Sequence, residues 1–379
     1  MKKNPNYSVR KNCIFCNHEL FNTYFTENLS NFVAHYSVDN EYDNHSYHKI
    51  PFNVCICDNC KTPQIKYLGE LNEVYRINHA DSTGEVMSNL HIENSKFIIK
   101  YKDSIKNIIE IGSSKGILAD LLLDKLNLTY FIIEPTYFGS FSDNKIIIND
   151  FYENVRDETI GANTLIMSHV LEHFYEPIKI LEKIYNNQNI TNIFLTFPDL
   201  EYYINNGVYH VLNTEHTFYV DTDFLIGLFD CFGFELVEKN SYKNHSILFY
   251  FKKNNIKNKK ICFENKNYNL ENKNYNLEDF FRGVQKSVNK FNKIIEDSKT
   301  KNVYIWPASI HSLYLLMFGL NEDKLSGFTD NSINKIGKKM YGTKLNVFNY
   351  KLISEDASSI ILINGGIFNS EINKNKSCQ

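Results

Sequence analysis

Two cysteine pairs stand early in the chain, Cys13-Ile-Phe-Cys16 and Cys57-Asp-Asn-Cys60. A C-x-x-C pair grips one edge of a tetrahedron, so two pairs supply the four thiolates that a Zn²⁺ ion takes at about 2.3 Å each. Four thiolates leave no open coordination position, which makes the expected role structural rather than catalytic. The forty or so residues between Cys16 and Cys57 exceed the usual ribbon spacing, so free buried thiols stay open as the alternative. Cys55 lies two residues before Cys57 and is a competing ligand, whereas Cys231, Cys262 and Cys378 lack a C-x-x-C partner and read as ordinary unpaired cysteines.

A second group of residues suits small-molecule chemistry. The stretch NIIEIGSSKG at 107–116 sets a short apolar run directly before a turn holding Gly112, Ser113, Ser114 and Gly116. Small residues there let a ligand lie against backbone N–H groups, although a tight strand-to-helix turn needs glycine for packing in any case. Glu134 ends the next apolar run at a spacing of about twenty residues, where a carboxylate accepts bonds from two ribose hydroxyls. Asp150-Phe151, His169, His173 and the dipeptide Glu215-His216 follow. An imidazole titrates near neutrality and is the natural group to accept a proton.

Alternating elements must hold these groups. Over about 97–252, β-type runs at 107–111, 130–133, 164–167 and 192–197 alternate with helical stretches at 117–126 and 177–185. Such alternation implies a parallel sheet with covering helices, the α/β class. Residues 1–75 show no strong periodicity and read as a small loop-rich module ahead of a core at 76–255. At 252–278 the composition collapses to Lys, Asn and Glu, and ENKNYNL at 264–270 recurs at 271–277, the pattern of a solvated linker rather than a solenoid. Phe281, Val284, Val288, Phe291 and Ile295 mark one face of an amphipathic helix, so 256–299 reads as linker plus helix. From 300 to 379 a second, smaller α/β domain follows, with strands at 303–306, 325–329 and 359–363 and a helix at 312–318. Its first turn, WPASIHS, lacks the glycines of a dinucleotide fingerprint.

Taken together, IIEIGSSKG, FIIEP, Asp150-Phe151 and LIMSHVLEH at 165–173 resemble class I S-adenosylmethionine (SAM)-dependent methyltransferases. The resemblance implies a Rossmann-like core in which the glycine turn holds the methionine end of SAM. By it Glu134 binds ribose, the Asp–Phe pair flanks adenine and His169 walls the pocket. The cofactor set is then Glu110, Gly112, Ser113, Ser114, Gly116, Glu134, Asp150, Phe151 and His169. The order of parts, a C-x-x-C module, this core and a C-terminal Rossmann-like α/β domain, is similar to the sugar C-methyltransferases of deoxysugar biosynthesis. CDNCKTPQIKYLGE and NTEHTFYV carry that likeness.

The resemblance implies structural Zn²⁺ on Cys13, Cys16, Cys57 and Cys60, and a nucleotide-linked sugar as partner. It implies His216 as the base, Glu215 to orient the imidazole or bind a sugar hydroxyl, and His173 to polarise a ketone, with Tyr75 closing over the substrate. O- or N-methylation of a sugar and an inactive scaffold are the rival readings. Three positions depart from the family: Asn213 where a Tyr is usual, Asn244-His245-Ser246 in place of Gly-Gly-Ser, and Trp306-Pro307 in a small-residue turn.

Composition agrees with a small-molecule enzyme. The 379 residues are 43% hydrophobic, ample for buried cores, and 41 basic against 44 acidic residues leave a net charge of −3. No broad basic field exists to hold a nucleic-acid backbone. No apolar run reaches the ~20 residues of a membrane span, and the start lacks the apolar core of a signal peptide, so a soluble cytoplasmic protein is expected. The oligomeric state stays open.

Overall fold

A computed structural model describes residues 7–20, 23–27, 50–75, 84–254, 276–299, 302–340 and 343–365. Cys262, Cys378 and most of the duplicated ENKNYNL stretch lie outside the described residues.

The N-terminal module holds β1 (Tyr7–Val9), β2 (Thr23–Glu27), β3 (Phe52–Ile56), β4 (Pro63–Ile65), β5 (Tyr67–Gly69) and α1 (Leu71–Val74). Strands β2, β3 and β4 form an antiparallel sheet, and β1 pairs with β5. The module is therefore more regular than its sequence suggests. Strands of three to five residues are too short for alternation to register.

The core follows: α2 (Glu85–Ile99), β6 (Ile108–Ile111), α3 (Ile117–Leu123), β7 (Tyr130–Ile133), β8 (Lys145–Ile148), β9 (Thr164–Ser168), α4 (Pro177–Asn186), β10 (Asn192–Pro198), α5 (Leu200–Asn205), α6 (Thr222–Cys231), β11 (Phe234–Tyr242) and β12 (Ser246–Lys253). Its sheet runs β8-β7-β6-β9-β10-β12-β11, with β12 antiparallel to both neighbours. Strands β6 and β10 are buried at every position, as expected of central strands covered on both faces. Strand order reverses between β6 and β9, which opens a crevice beyond their carboxyl ends. This is an α/β sheet of the class I methyltransferase kind, with the last strand inserted antiparallel beside the fifth.

The C-terminal part holds α7 (Leu277–Asp297), β13 (Val303–Trp306), α8 (Ile310–Met317), β14 (Gly327–Asp330), β15 (Val347–Asn349), α9 (Tyr350–Ser354) and β16 (Ile360–Ile363). Its parallel sheet runs β15-β14-β13-β16, again Rossmann-like. The three-residue β15 left no readable signal in the sequence. Helix α7 begins at an Asn276 cap, whose side chain accepts from the N–H groups of Glu278 and Asp279. Its apolar face, with Phe281, Val284 and Val288, enters a core shared with Phe52 and Val54 of β3, Tyr203 of α5, Leu313 of α8 and Phe328 of β14. Burial of each large apolar side chain there contributes about 1.5–3 kcal/mol, so the three parts stabilise one another.

Cys231, expected to be unpaired, is disulfide-bonded. Pairing depends on spatial approach and carries no spacing signature. Among the described residues no helix is long and apolar enough to cross a membrane.

Candidate active site

The four cysteines of the two C-x-x-C pairs converge. Cys13 and Cys60 have sulfurs 3.5 Å apart, as do Cys16 and Cys57, and all four Sγ atoms lie within 4.8 Å of one another. Around Zn²⁺ with bonds of about 2.3 Å, tetrahedral geometry sets sulfurs about 3.8 Å apart, so the donor set fits the ion. Two matching knuckles build it. Asn17 and Lys61, one residue past each pair, take left-handed φ of 59° and 58°, and their N–H groups return to the carbonyls of Cys13 and Cys57. Hydrogen bonds from Cys57 and Cys60 pull the Cys13 thiol down to about 4, favouring the thiolate a metal requires. Cys55 stands outside the cluster and donates to Asn53 Oδ1 at 3.0 Å.

A cavity of about 340 Å³ opens at the carboxyl ends of β6, β7 and β9. Gly112, Ser114, Glu134, Asp150, Phe151, His169, His173, Glu215 and His216 all line it, together with Tyr75. Glu134 ends β7, and its Oε2 accepts from the Ser114 N–H at 3.0 Å while Oε1 accepts from the Thr136 N–H at 3.1 Å. Those bonds lock the carboxylate across the glycine turn, where its remaining lone pairs suit a ribose diol. Gly112 sits at φ +70°, and a Cβ there would fall 2.5 Å from Val170 Cγ2. Only glycine therefore keeps this cradle open. Asp150 accepts from the Phe151 N–H at 2.7 Å and from Asn154 Nδ2 at 2.7 Å, which fixes the loop presenting Phe151. The open cradle and the locked carboxylate fit SAM.

Glu110, Ser113 and Gly116 are not among the lining residues. Glu110 points into the core, where it accepts from the Tyr130 hydroxyl at 2.9 Å and burial pushes its carboxyl up to about 7. Ser113 Oγ is buried without a hydrogen-bond partner. Gly116 takes a left-handed conformation at the start of α3.

On the opposite wall Asn213 makes an Asx turn. Its Oδ1 accepts from the N–H groups of Glu215 at 2.7 Å and His216 at 2.9 Å, presenting both side chains to the cavity. His216 Nδ1 lies 2.8 Å from the Val211 carbonyl oxygen. A carbonyl only accepts, so Nδ1 carries the proton and Nε2 keeps its lone pair. The orienting contact is thus a backbone carbonyl. Burial lowers the His216 pKa, with the charge of Glu172 opposing. His173 meets His216 edge-on, with ring centroids 4.8 Å apart, and its Nδ1 lies 2.9 Å from the Tyr75 hydroxyl. Tyr75 also packs edge-on against Phe151, joining the two walls. His169, at a left-handed φ of 54°, lies between Glu172 Oε1 at 3.2 Å and Ser246 Oγ at 2.7 Å. Burial holds its pKa down at about 4.

The N-terminal module braces this turn. Strand β4 is tied to the segment after His216 by the Ile65 N–H on the Thr217 carbonyl and the Tyr219 N–H on the Pro63 carbonyl. Between them Gln64 donates to Cys13 Sγ at 3.2 Å. Sequence reasoning missed Glu172, Gln64, Arg10 and Ile310, the last of which brings the start of α8 to the cavity wall. Asn213 had a signal, since Asn two residues before a turn is an Asx-turn pattern; the others had none.

Residues 251–378 match the family model described as the C-methyltransferase C-terminal domain. No curated protein matches the chain. Similar solved structures include an O-methyltransferase family protein from Burkholderia thailandensis, at 11% identity over 45% of this chain and 58% of that one, TM-score 0.35. Human N-acetylserotonin methyltransferase, in complex with SAM, is 12% identical over 49% of this chain and 63% of that one, TM-score 0.34. This chain thus spans about three fifths of the length of each. Residues 251–378 thus carry a C-methyltransferase C-terminal domain, set behind an α/β core whose strand order reverses between β6 and β9.

Proposed function

We propose that this protein methylates a ring carbon of a nucleotide-linked keto-deoxysugar. The observation that carries the reading is His216, whose proton is held on Nδ1 by Val211, leaving Nε2 to act as a base in the cavity that Glu134 and the glycine turn also line. A carbon beside a ketone becomes nucleophilic when its proton is removed. His216 Nε2 takes that proton, the C–H bonding pair moves into an enolate, and the imidazole becomes imidazolium. The His173–Tyr75 pair, coupled at 2.9 Å, leaves one donor for the developing negative oxygen, the imidazole Nε2–H or the phenol O–H according to which of the two donates to the other. Glu215, fixed on the same turn, accepts from a sugar hydroxyl. Glu134, Gly112, Ser114 and Phe151 would hold SAM, which would supply an electrophilic methyl: the C–CH3 bond forms as the S–CH3 bond breaks, and S-adenosylhomocysteine leaves. Zn²⁺ on Cys13, Cys16, Cys57 and Cys60 would stiffen the module that backs the Glu215-His216 turn.

The test is incubation with methyl-labelled SAM and a panel of nucleotide sugars that includes 4-keto-6-deoxy forms, with the label located by NMR. Label on a ring carbon supports the reading. Label on oxygen or nitrogen replaces it with sugar O- or N-methylation, in which the same imidazole would deprotonate the acceptor.

A further inference from the structure

Methyl transfer uses His173 and His216 singly, yet a third donor, the buried Glu172, lies beside them. One ligating atom from each of Glu172, His173 and His216 lies within 4.8 Å of the others. Glu172 Oε1 is held by His169 at 3.2 Å. Its Oε2 is buried without a hydrogen-bond partner, on a residue only 1% exposed. A carboxylate oxygen stripped of water and given nothing in exchange is an acceptor awaiting a charge.

The imidazoles are arranged as ligands are. His216 donates Nδ1–H to the Val211 carbonyl, the outer contact that fixes the tautomer and ring plane of a metal-bound histidine. His173 Nδ1 is engaged by the Tyr75 hydroxyl in a similar way. Two imidazoles and one carboxylate select borderline first-row divalent ions such as Zn²⁺ and Co²⁺ over Mg²⁺ or Ca²⁺, which want oxygen throughout. Three protein ligands also leave a coordination position open to the cavity, unlike the closed four-sulfur site.

We propose that Glu172, His173 and His216 form a second divalent transition-metal site, filled in competition with the sugar substrate. The regulatory consequence rests on His216 being the base. A cation on its nitrogen takes the lone pair that proton abstraction needs, so occupancy silences the enzyme while the Glu134 side of the cavity still accepts SAM.

Cobalt titration of the full-length, zinc-loaded protein tests this without any methyl acceptor. We expect one further equivalent of Co²⁺ with weak d–d absorption and no thiolate-to-metal charge-transfer band. Glu172→Gln and His173→Asn should each weaken that equivalent at least tenfold, with one zinc per chain retained on the cysteines and SAM affinity by calorimetry within twofold of wild type. No second equivalent, or one that both variants bind as tightly as wild type, overturns the site. Because the readout is spectroscopic, Co²⁺ binding in a protein that methylates no sugar keeps the site and loses the catalytic reading. Sugar methylation in a protein that binds no second equivalent does the reverse.

Discussion

The Arg10 guanidinium donates to the carbonyl oxygen of Thr217 at 2.9 Å, joining residues 207 positions apart. The same group reaches the carbonyls of Ile65 at 3.1 Å and Tyr175 at 3.0 Å. Thr217 directly follows Glu215 and His216, so the N-terminal module holds the turn that presents both to the cavity. Burial lowers the arginine pKa to about 10, leaving it charged at neutral pH. Replacing Arg10 by Met removes a charged donor from three carbonyls and should cost about 3 kcal/mol of stability. Methyl transfer should fall further than SAM affinity, since Glu134 is untouched. A variant with wild-type kcat/KM under folding conditions would show that the brace has no part in activity.

The four-cysteine module should be as necessary as its brace. Cys13→Ser removes one of the four clustered thiols and the sulfur that Gln64 contacts. Zinc content should drop by at least half and the melting temperature should fall, because structural metal binding is coupled to folding. Full zinc content with unchanged melting would argue against the four-cysteine site.

Glu134→Ala strips the carboxylate from the glycine turn and leaves the Ser114 and Thr136 N–H groups without that acceptor. A charged hydrogen bond is worth about 1.5–3 kcal/mol, so SAM affinity by calorimetry should weaken roughly ten- to hundredfold. Unchanged affinity would remove Glu134 from the cofactor site.

His216→Asn keeps a side chain of similar reach but loses the basic nitrogen. With an accepted keto-sugar in deuterated water, wild type should exchange the proton on the carbon beside the ketone, and the variant should slow that exchange by about 10²–10⁴. Exchange at the wild-type rate would mean another group is the base.

Two buried histidines make acid stability a further test. Burial holds His245 and His311 down at about 3, whereas an unfolded imidazole titrates near 6.5. Both are neutral in the folded state, so their contribution is complete above pH 6.5 and is lost as the pH falls toward 3. At pH 5 each should have cost about 2 kcal/mol relative to pH 7. Denaturant unfolding of His311→Gln should show that much less loss between the two pH values. An identical loss in variant and wild type would sink the assignment to His311.

Much of the fold was legible because its signals are local. The strand, glycine turn and helix at 108–123 follow from an apolar run, from φ of +70° at Gly112 and Gly116, and from helical spacing after them. The C-x-x-C pairs are local as well, since a knuckle closes within five residues. The inward turn of Glu110 was not legible, because an acid inside an apolar strand can face the crevice or the core, and only the Tyr130 hydroxyl beside it decides which. Short strands such as β15, the disulfide at Cys231 and the wall position of Ile310 needed the assembled chain. So did the contacts of Arg10 with Thr217 and of Glu172 with His169. Spacing and composition determined which chemical groups this protein carries and the elements that bear them. Tertiary structure alone decided which of those groups share one cavity, because burial and hydrogen bonding between distant segments depend on how the three parts pack.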